Sequence, residues 1–187
     1  MKKRILLMCT LLLMVVAVTF ANDFRNIIRE RLSGNEEVPF NVTDASAELK
    51  ARINDAGTEI AWELSYEGIQ SGVTQAHIHV GQKGVNGGVS VFFCATPASP
   101  GPAGTQVCPA NAGTLTGTFT AANVVGPNNQ GVAPGDFDAL IRAIRSGNAY
   151  ANIHSTRSPG GEIRAQINDG RHRHHHDNDC DHDGDHH

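Results

Sequence analysis

The sequence predicts an all-β protein, an antiparallel β-sandwich of Greek-key or flattened-barrel type with one surface helix. Three observations support this fold class. Seven or eight short segments alternate apolar and polar residues, turn residues separate them, and just one segment has helical periodicity. The length of 187 residues suits one domain with terminal appendages.

The predicted strands follow one another along the chain. Residues 22–31 have a mixed pattern that fits either a short helix or a strand, and the sequence leaves this open. Two alternating segments joined by the turn residues Asn-Asp-Ala-Gly then indicate a β-hairpin with one buried face. The segments that predict strands are 45–54, 58–66, 73–80, 88–94, 113–120, and a second hairpin of 149–155 and 161–168.

The predicted helix lies between the last two groups of strands. Pro134 and Gly135 precede Asp136, whose side chain suits the N-cap, and Gly147 suits the C-terminal end. One face of this segment is apolar, which indicates a surface helix that packs on a sheet and connects strands. Its apolar residues are Phe137, Leu140, Ile141 and Ile144.

The N-terminus resembles a secretory signal peptide. Residues 1–21 combine a short basic start, an apolar run, and small residues at the positions expected before cleavage after Ala21. The alternative is a transmembrane anchor, for which the apolar run from Ile5 to Phe20 is short. We therefore expect a secreted or periplasmic protein without a stable membrane anchor after cleavage.

The net charge argues against a nucleic-acid partner. The formal charge is −4 for the whole chain, and removal of Lys2, Lys3 and Arg4 with the signal peptide would bring it to −7. An acidic protein without a cluster of lysine and arginine is a poor ligand for nucleic acid.

Two of the four cysteines predict a disulfide. Cys94 and Cys108 bracket a segment rich in proline and glycine, and an oxidising compartment favours a bond that closes this loop. Cys9 lies in the signal peptide, and Cys180 is left without a partner in the tail.

Three histidines on two predicted strands suggest a metal site. His77 and His79 share one face of a strand, as alternate residues do, and His154 lies on the corresponding face of another. If these strands pair, three neutral imidazoles meet, a ligand set that suits copper, zinc or nickel and leaves one coordination position open. The alternative is a structural role, with hydrogen bonds to loop carbonyls or to Asn152 and Arg164.

The face that carries His154 holds other polar residues. Asn152, Glu162 and Arg164 all alternate with apolar residues and are expected to face away from the core. We interpret them as a structural polar cluster. Glu162 and Arg164 fit a salt-bridged face better than a catalytic acid and base.

The last 17 residues, 171–187, differ in composition from the rest. They contain seven histidines and five aspartates, and such a segment is expected to remain disordered and to bind divalent transition metals. The alternative is a tail that only adds solvation. Its candidate ligands are His172, His174, His175, His176, His182, His186 and His187.

Four blocks of the sequence together resemble the CHRD domain, which is named after chordin. The similarity covers about residues 28–168, within a predicted domain of residues 22–170. Ala165 replaces a glycine that the family usually has, and Phe40 stands where a second proline is common. The blocks are LSGNEEVP (32–39), AHIHVGQKGVNGGVSVFFC (76–94), FDALIRAIRSGNAYANIHS (137–155) and PGGEIRAQI (159–167).

The resemblance implies an extracytoplasmic all-β module and does not imply an enzyme. Chordin itself sequesters secreted growth factors, so an unknown extracellular protein is one expected partner and a metal ion is another. The family pattern marks five positions, which are His77, His79, His154, Glu162 and Arg164.

Three functions therefore remain. The first is a non-enzymatic binding or structural module with a possible transition-metal site, and the second is a module that binds a protein partner, as in chordin. The third is a copper-dependent redox enzyme similar to the Cu/Zn superoxide dismutases, which also use a β-sandwich, a His-x-His strand and a disulfide-held loop. The loops of this sequence lack the ligands of a second metal site, and an analogy of folds alone is weak support.

Overall fold

A computed structural model describes residues 26–167. The predicted signal peptide and the histidine-rich tail lie outside these residues. The described part contains three short 3₁₀ helices and the elements β1 (Ile27–Leu32), β2 (Ser46–Ile53), β3 (Ile60–Glu67), β4 (Val73–Val80), β5 (Gly88–Ala95), β6 (Gly113–Phe119), α1 (Phe137–Arg145), β7 (Ala149–Ser155) and β8 (Ile163–Gln166).

The eight strands form two four-stranded antiparallel sheets. The first sheet has the order β1-β2-β3-β6 and the second has the order β5-β4-β7-β8. This arrangement confirms the predicted sandwich. The undecided segment 22–31 provides a strand from Ile27 onward, because the alternate residues Ile28 and Leu32 face the core. Strand β8 is shorter than predicted and begins at Ile163.

The core lies between the sheets and follows the alternation of the sequence. In β2 and β3 every second residue is buried. In β4 the core-facing residues Ala76, Ile78 and Val80 are buried. Trp62 fills the space beside the rings of Phe93 and Phe119, with ring centroids 4.9 and 5.1 Å away. Phe93 belongs to the second sheet, so its contact with Trp62 joins the two sheets across the core, whereas Phe119 is in the same sheet as Trp62.

One lateral edge of the sandwich is joined to the facing sheet, and the other is joined to the loop that precedes β6. At one edge Ser33 and Arg164 exchange two backbone hydrogen bonds, of 3.0 and 3.1 Å, which link the end of β1 to β8. At the other edge Ala95 in β5 pairs with Val107, and the disulfide Cys94–Cys108 forms as predicted. Backbone pairing therefore links the two sheets at one edge, and a disulfide ties a loop to β5 at the other.

Helix α1 forms as predicted between β6 and β7. The Asp136 carboxylate accepts a hydrogen bond of 2.9 Å from the Ala139 amide and so caps the N-terminus. The predicted apolar face is buried and lies against β4 and β7. Gly147 follows the helix with a φ of 70°, a conformation that glycine adopts at little cost.

The disulfide fits an extracytoplasmic protein, since such bonds persist in oxidising compartments. Between residues 26 and 167, no helix has the length and apolar character that a membrane span requires.

The disulfide should contribute measurably to stability. It closes a loop with a sequence separation of 14 residues, and its loss should lower the free energy of unfolding by about 3 kcal/mol. Urea unfolding of the variant with Cys94→Ala and Cys108→Ala measures this loss. Cys180→Ser is the control and should change stability by less than about 0.5 kcal/mol. An unchanged unfolding midpoint in the double variant would show that the bond does not constrain the unfolded chain.

Candidate metal centre

Strands β4 and β7 are neighbours in the second sheet, and their pairing brings the three histidines together. His77 lies opposite Asn152, His79 lies opposite Tyr150, and His154 lies opposite Gln75. The candidate ligand atoms of the three imidazoles all lie within 4.8 Å of one another. Along residues 26–167 this is the one group of three histidine, cysteine or acidic side chains close enough to share an ion.

Two irregularities in the pairing of β4 with β5 surround the histidines. The register shifts between Ala76 and His77 and again between Ile78 and His79, so that β5 contributes an extra residue each time. Such bulges increase the local twist of a strand and redirect its side chains, and they are common beside functional sites.

Hydrogen bonds fix the tautomers of two of the rings. His79 Nδ1 donates to the Gly87 carbonyl and His154 Nδ1 donates to the Pro159 carbonyl, each over 3.0 Å. A carbonyl can only accept, so in each neutral ring the proton resides on Nδ1 and the lone pair on Nε2. The two Nε2 atoms face each other at 3.4 Å, and neither has a proton to donate.

This separation fits a shared metal ion. Imidazole nitrogens bind zinc at about 2.0–2.1 Å, and tetrahedral geometry then places two ligand nitrogens about 3.3–3.4 Å apart. The observed 3.4 Å between the Nε2 atoms of His79 and His154 agrees with that value. A carbonyl that accepts from Nδ1 while Nε2 is directed at the ion is the usual outer-shell arrangement of metal-bound histidine.

His77 is the buried polar group that lacks a partner. Its side chain is 3% exposed, and neither ring nitrogen has a hydrogen-bond partner in the structure. Its ring contacts the edge of Phe92, with centroids 4.3 Å apart, and its centroid lies 5.0 Å from that of His154. A buried nitrogen without a partner costs free energy, and a metal ion would supply one.

Burial also keeps the three imidazole rings uncharged. Loss of hydration lowers the pKa of His77 to about 2, and the neighbouring histidines add to the effect. The same cause lowers the pKa of His79 to about 4 and also lowers that of His154. All three rings are therefore neutral near pH 7, the state in which imidazole binds metals.

The predicted polar cluster is organised around a residue that the sequence reasoning missed. The Glu37 carboxylate accepts hydrogen bonds from Asn152 Nδ2 and from Arg164 Nε, the latter over 2.7 Å. Arg164 Nη2 lies 2.7 Å from the same carboxylate. Glu37 is part of the LSGNEEVP block, but nothing in its immediate neighbours distinguishes it from Glu36.

The salt bridge on this face has a different partner from the one expected. Arg164 pairs with Glu37 and not with Glu162, whose carboxylate instead accepts a hydrogen bond of 2.8 Å from the Thr43 hydroxyl. Glu162 and Arg164 face away from the sandwich core, yet both are buried. The reason is that residues 33–43 lie against β8 and the turn before it, and so cover this face.

Close packing surrounds the Glu37 carboxylate. Its pKa is raised, because burial outweighs the opposing effect of Arg164. A Cβ on Gly161 would lie 2.6 Å from Glu37 Oε1 and 2.9 Å from Asn152 Nδ2, and Gly161 has a φ of 134°. Only glycine fits this position, which explains the second glycine of the PGGE turn.

Tyr150 connects the ion pair to the histidines. Its ring stacks on His79 with centroids 4.8 Å apart, and the Arg164 guanidinium lies 4.4 Å from its centroid. Its hydroxyl accepts a hydrogen bond of 3.0 Å from the Gly87 amide. The Gly87 carbonyl accepts the hydrogen bond from His79. Tyr150 therefore supports the His79 ring by stacking and also holds Gly87, the residue whose carbonyl orients that ring. A side chain at Gly87 would overlap the carbonyl oxygen of Val80.

The metal-free protein should lose stability in mild acid. The unfolded chain binds protons at His77 and His79 near pH 6.5, whereas the folded chain does so only at a pKa of about 2 and about 4. The contribution of these two rings to the free energy of unfolding is therefore complete above pH 6.5 and is lost as the pH falls. Between pH 7.5 and pH 5 it amounts to about 4 kcal/mol for the two rings together.

Urea unfolding at several pH values in the presence of a chelator measures this loss. In His77→Gln the change between pH 7.5 and pH 5 should be smaller by about 2 kcal/mol, the contribution of that ring. An identical pH dependence in this variant and the original protein would show that burial does not suppress protonation of His77.

The Gly161 position offers a test of the Glu37 cluster. Gly161→Ala should lower the free energy of unfolding by about 2 kcal/mol or more, because the methyl group meets both the carboxylate and Asn152. Gly160→Ala is the matched control, since a Cβ there has nothing within 4 Å. Equal stability of the two variants, measured by urea unfolding, would contradict this packing.

Comparison with known proteins gives one match. The family model for the CHRD domain matches residues 28–167. Neither the curated proteins nor the solved structures yield a match to this chain.

Proposed function

The chain belongs to the CHRD domain family, and we propose that it is an extracytoplasmic, non-enzymatic module that binds one transition-metal ion through His77, His79 and His154. One observation carries the proposal. Two Nε2 lone pairs face each other at 3.4 Å, at a distance that suits a shared ion and with no proton between them. The third ring lies beside them with both nitrogens free.

The chemistry of the ligands limits the identity of the metal. Three imidazoles without a thiolate suit copper, zinc or nickel better than calcium or magnesium, which prefer oxygen ligands. The rings stay neutral well below pH 7, so protons compete with a metal here less than at an exposed histidine. Such a site would retain its ion in mildly acidic surroundings.

Residues 171–187, which lie outside the described part, extend the proposal. Their seven histidines and five aspartates would bind the same class of ions with lower affinity and in a strongly pH-dependent way. We propose that this tail collects metal ions near the domain. The disulfide supports a location outside the cytoplasm, where the signal peptide predicted from residues 1–21 would direct the protein.

A copper-dependent redox enzyme is the alternative. It is favoured by the open position of a three-histidine site and by the partial exposure of His154, which would let a small substrate approach the ion. Copper-loaded protein that turns over superoxide would support it, whereas stable metal binding without turnover would leave the non-enzymatic role.

Elemental analysis tests the metal site directly. A full-length variant in which all seven tail histidines are replaced by serine should contain about one transition-metal ion per chain after dialysis against copper or zinc. In the same background His79→Gln should reduce the metal content at least about tenfold, because it removes one of three ligands. Gln75→Ala, on the same face of β4, is the matched control and should keep the ion.

The thermal unfolding temperature of each variant separates loss of a ligand from loss of the fold. If the variant with the tail histidines replaced contains no metal under any loading condition while still folded, the three histidines are a structural cluster and the proposal is wrong.

A further inference from the structure

The three-histidine cluster provides a metal ion with no negative charge. The rings of His77, His79 and His154 are neutral, and the groups that hold two of them are the uncharged carbonyls of Gly87 and Pro159. In the part of the chain that the structure covers, no carboxylate or thiol joins these ligands. A divalent ion bound here would keep its full charge of +2.

The charged group that faces the cluster is positive. The Arg164 guanidinium lies over Tyr150, which stacks on His79, and its charge contributes to the lowered pKa of both His79 and His154. The Glu37 carboxylate already accepts hydrogen bonds from Asn152 and Arg164. Along residues 26–167 no carboxylate oxygen belongs to the group of ligand atoms, so none neutralises a dication by direct ligation.

Such an imbalance is costly where water is excluded. His77 and His79 are 3% and 7% exposed, and a buried charge is stable only when it is paired or ligated by an opposite charge. Three protein ligands also leave one position of a tetrahedral ion open. His154 is only partly buried, so solvent reaches the cluster on its side.

From these observations, and resting on the metal site proposed above, we infer that a divalent ion held by His77, His79 and His154 takes a small anion or a carboxylate as its fourth ligand. The site would then be a metal-dependent anion-binding site.

The fourth ligand has two possible sources with the same chemistry. One is a free anion from solution, and the other is an aspartate of residues 171–187. The chain leaves the second sheet at Ile167, whose amide bonds to Ala149 in β7. Asp177 follows ten residues later, and an extended chain of that length reaches up to about 35 Å. Ala149 lies opposite Val80, the residue that follows His79, so this length covers the distance from Ile167 to the cluster.

Cobalt(II) absorption separates these sources in two full-length variants. The first variant has its seven tail histidines replaced by serine. The second has, in addition, its five tail aspartates replaced by asparagine. Each is loaded with one equivalent of cobalt and titrated with sodium azide and with sodium formate. The second variant with His79→Gln is the control for cobalt bound elsewhere.

A saturable change of the cobalt bands in both variants, with the same dissociation constant for azide, supports the inference with a free anion as the ligand. A tail carboxylate as the ligand predicts that the cobalt bands of the two variants differ before azide is added. It also predicts an apparent dissociation constant for azide about tenfold higher in the first variant, because its tail aspartates compete with azide. Bands that neither azide nor formate changes in either variant overturn the inference.

Elemental analysis keeps this outcome distinct from a failure of the metal site. Cobalt retained at one per chain, with bands that do not respond to anions, refutes only the anionic fourth ligand. Absence of cobalt from the folded second variant refutes the metal site itself and the anion site with it.

Discussion

The buried ion pair between Glu37 and Arg164 holds the segment after β1 against the second sheet. A carboxylate in this position loses its hydration, and Arg164 and Asn152 replace that hydration with hydrogen bonds. The backbone pairing of Ser33 with Arg164 places the segment in register with β8. As a result, a sheet face that would otherwise meet water becomes a second interior, and Gly161 is the residue that leaves room for it.

The properties of the histidine cluster depend on this second interior. Tyr150 lies between Arg164 and His79, and Asn86 bonds both to Arg164 and to the Val38 carbonyl, so that the loop before β5 is tied to the same segment. That loop presents the Gly87 carbonyl to His79. The ion pair thus acts on the histidines through packing and loop position, and not through a direct contact.

The sequence was sufficient for most of the fold because the alternation of apolar and polar residues marks the core-facing side of the strands. Buried and exposed residues alternate in the first sheet, whereas much of the second sheet is buried on both faces. The sequence also placed the three histidines on faces that meet once β4 and β7 pair. The role of Glu37 was beyond it, because a carboxylate and its partner Arg164 are 127 residues apart and no local pattern links them. The bulges opposite His77 and His79 were also beyond it, since they depend on how β5 pairs with β4.

The facing Nε2 atoms favour the proposed metal site over a purely structural cluster. A hydrogen bond between His79 and His154 would need a proton on one Nε2. A change of tautomer supplies that proton, but the ring then loses its hydrogen bond to the carbonyl of Gly87 or Pro159. Addition of a second proton to a ring instead creates an imidazolium, which burial disfavours. His77 would gain a partner from neither change. A metal ion would engage one lone pair of each of the three rings while both carbonyl hydrogen bonds remain, and for this reason the geometry favours an ion over a network.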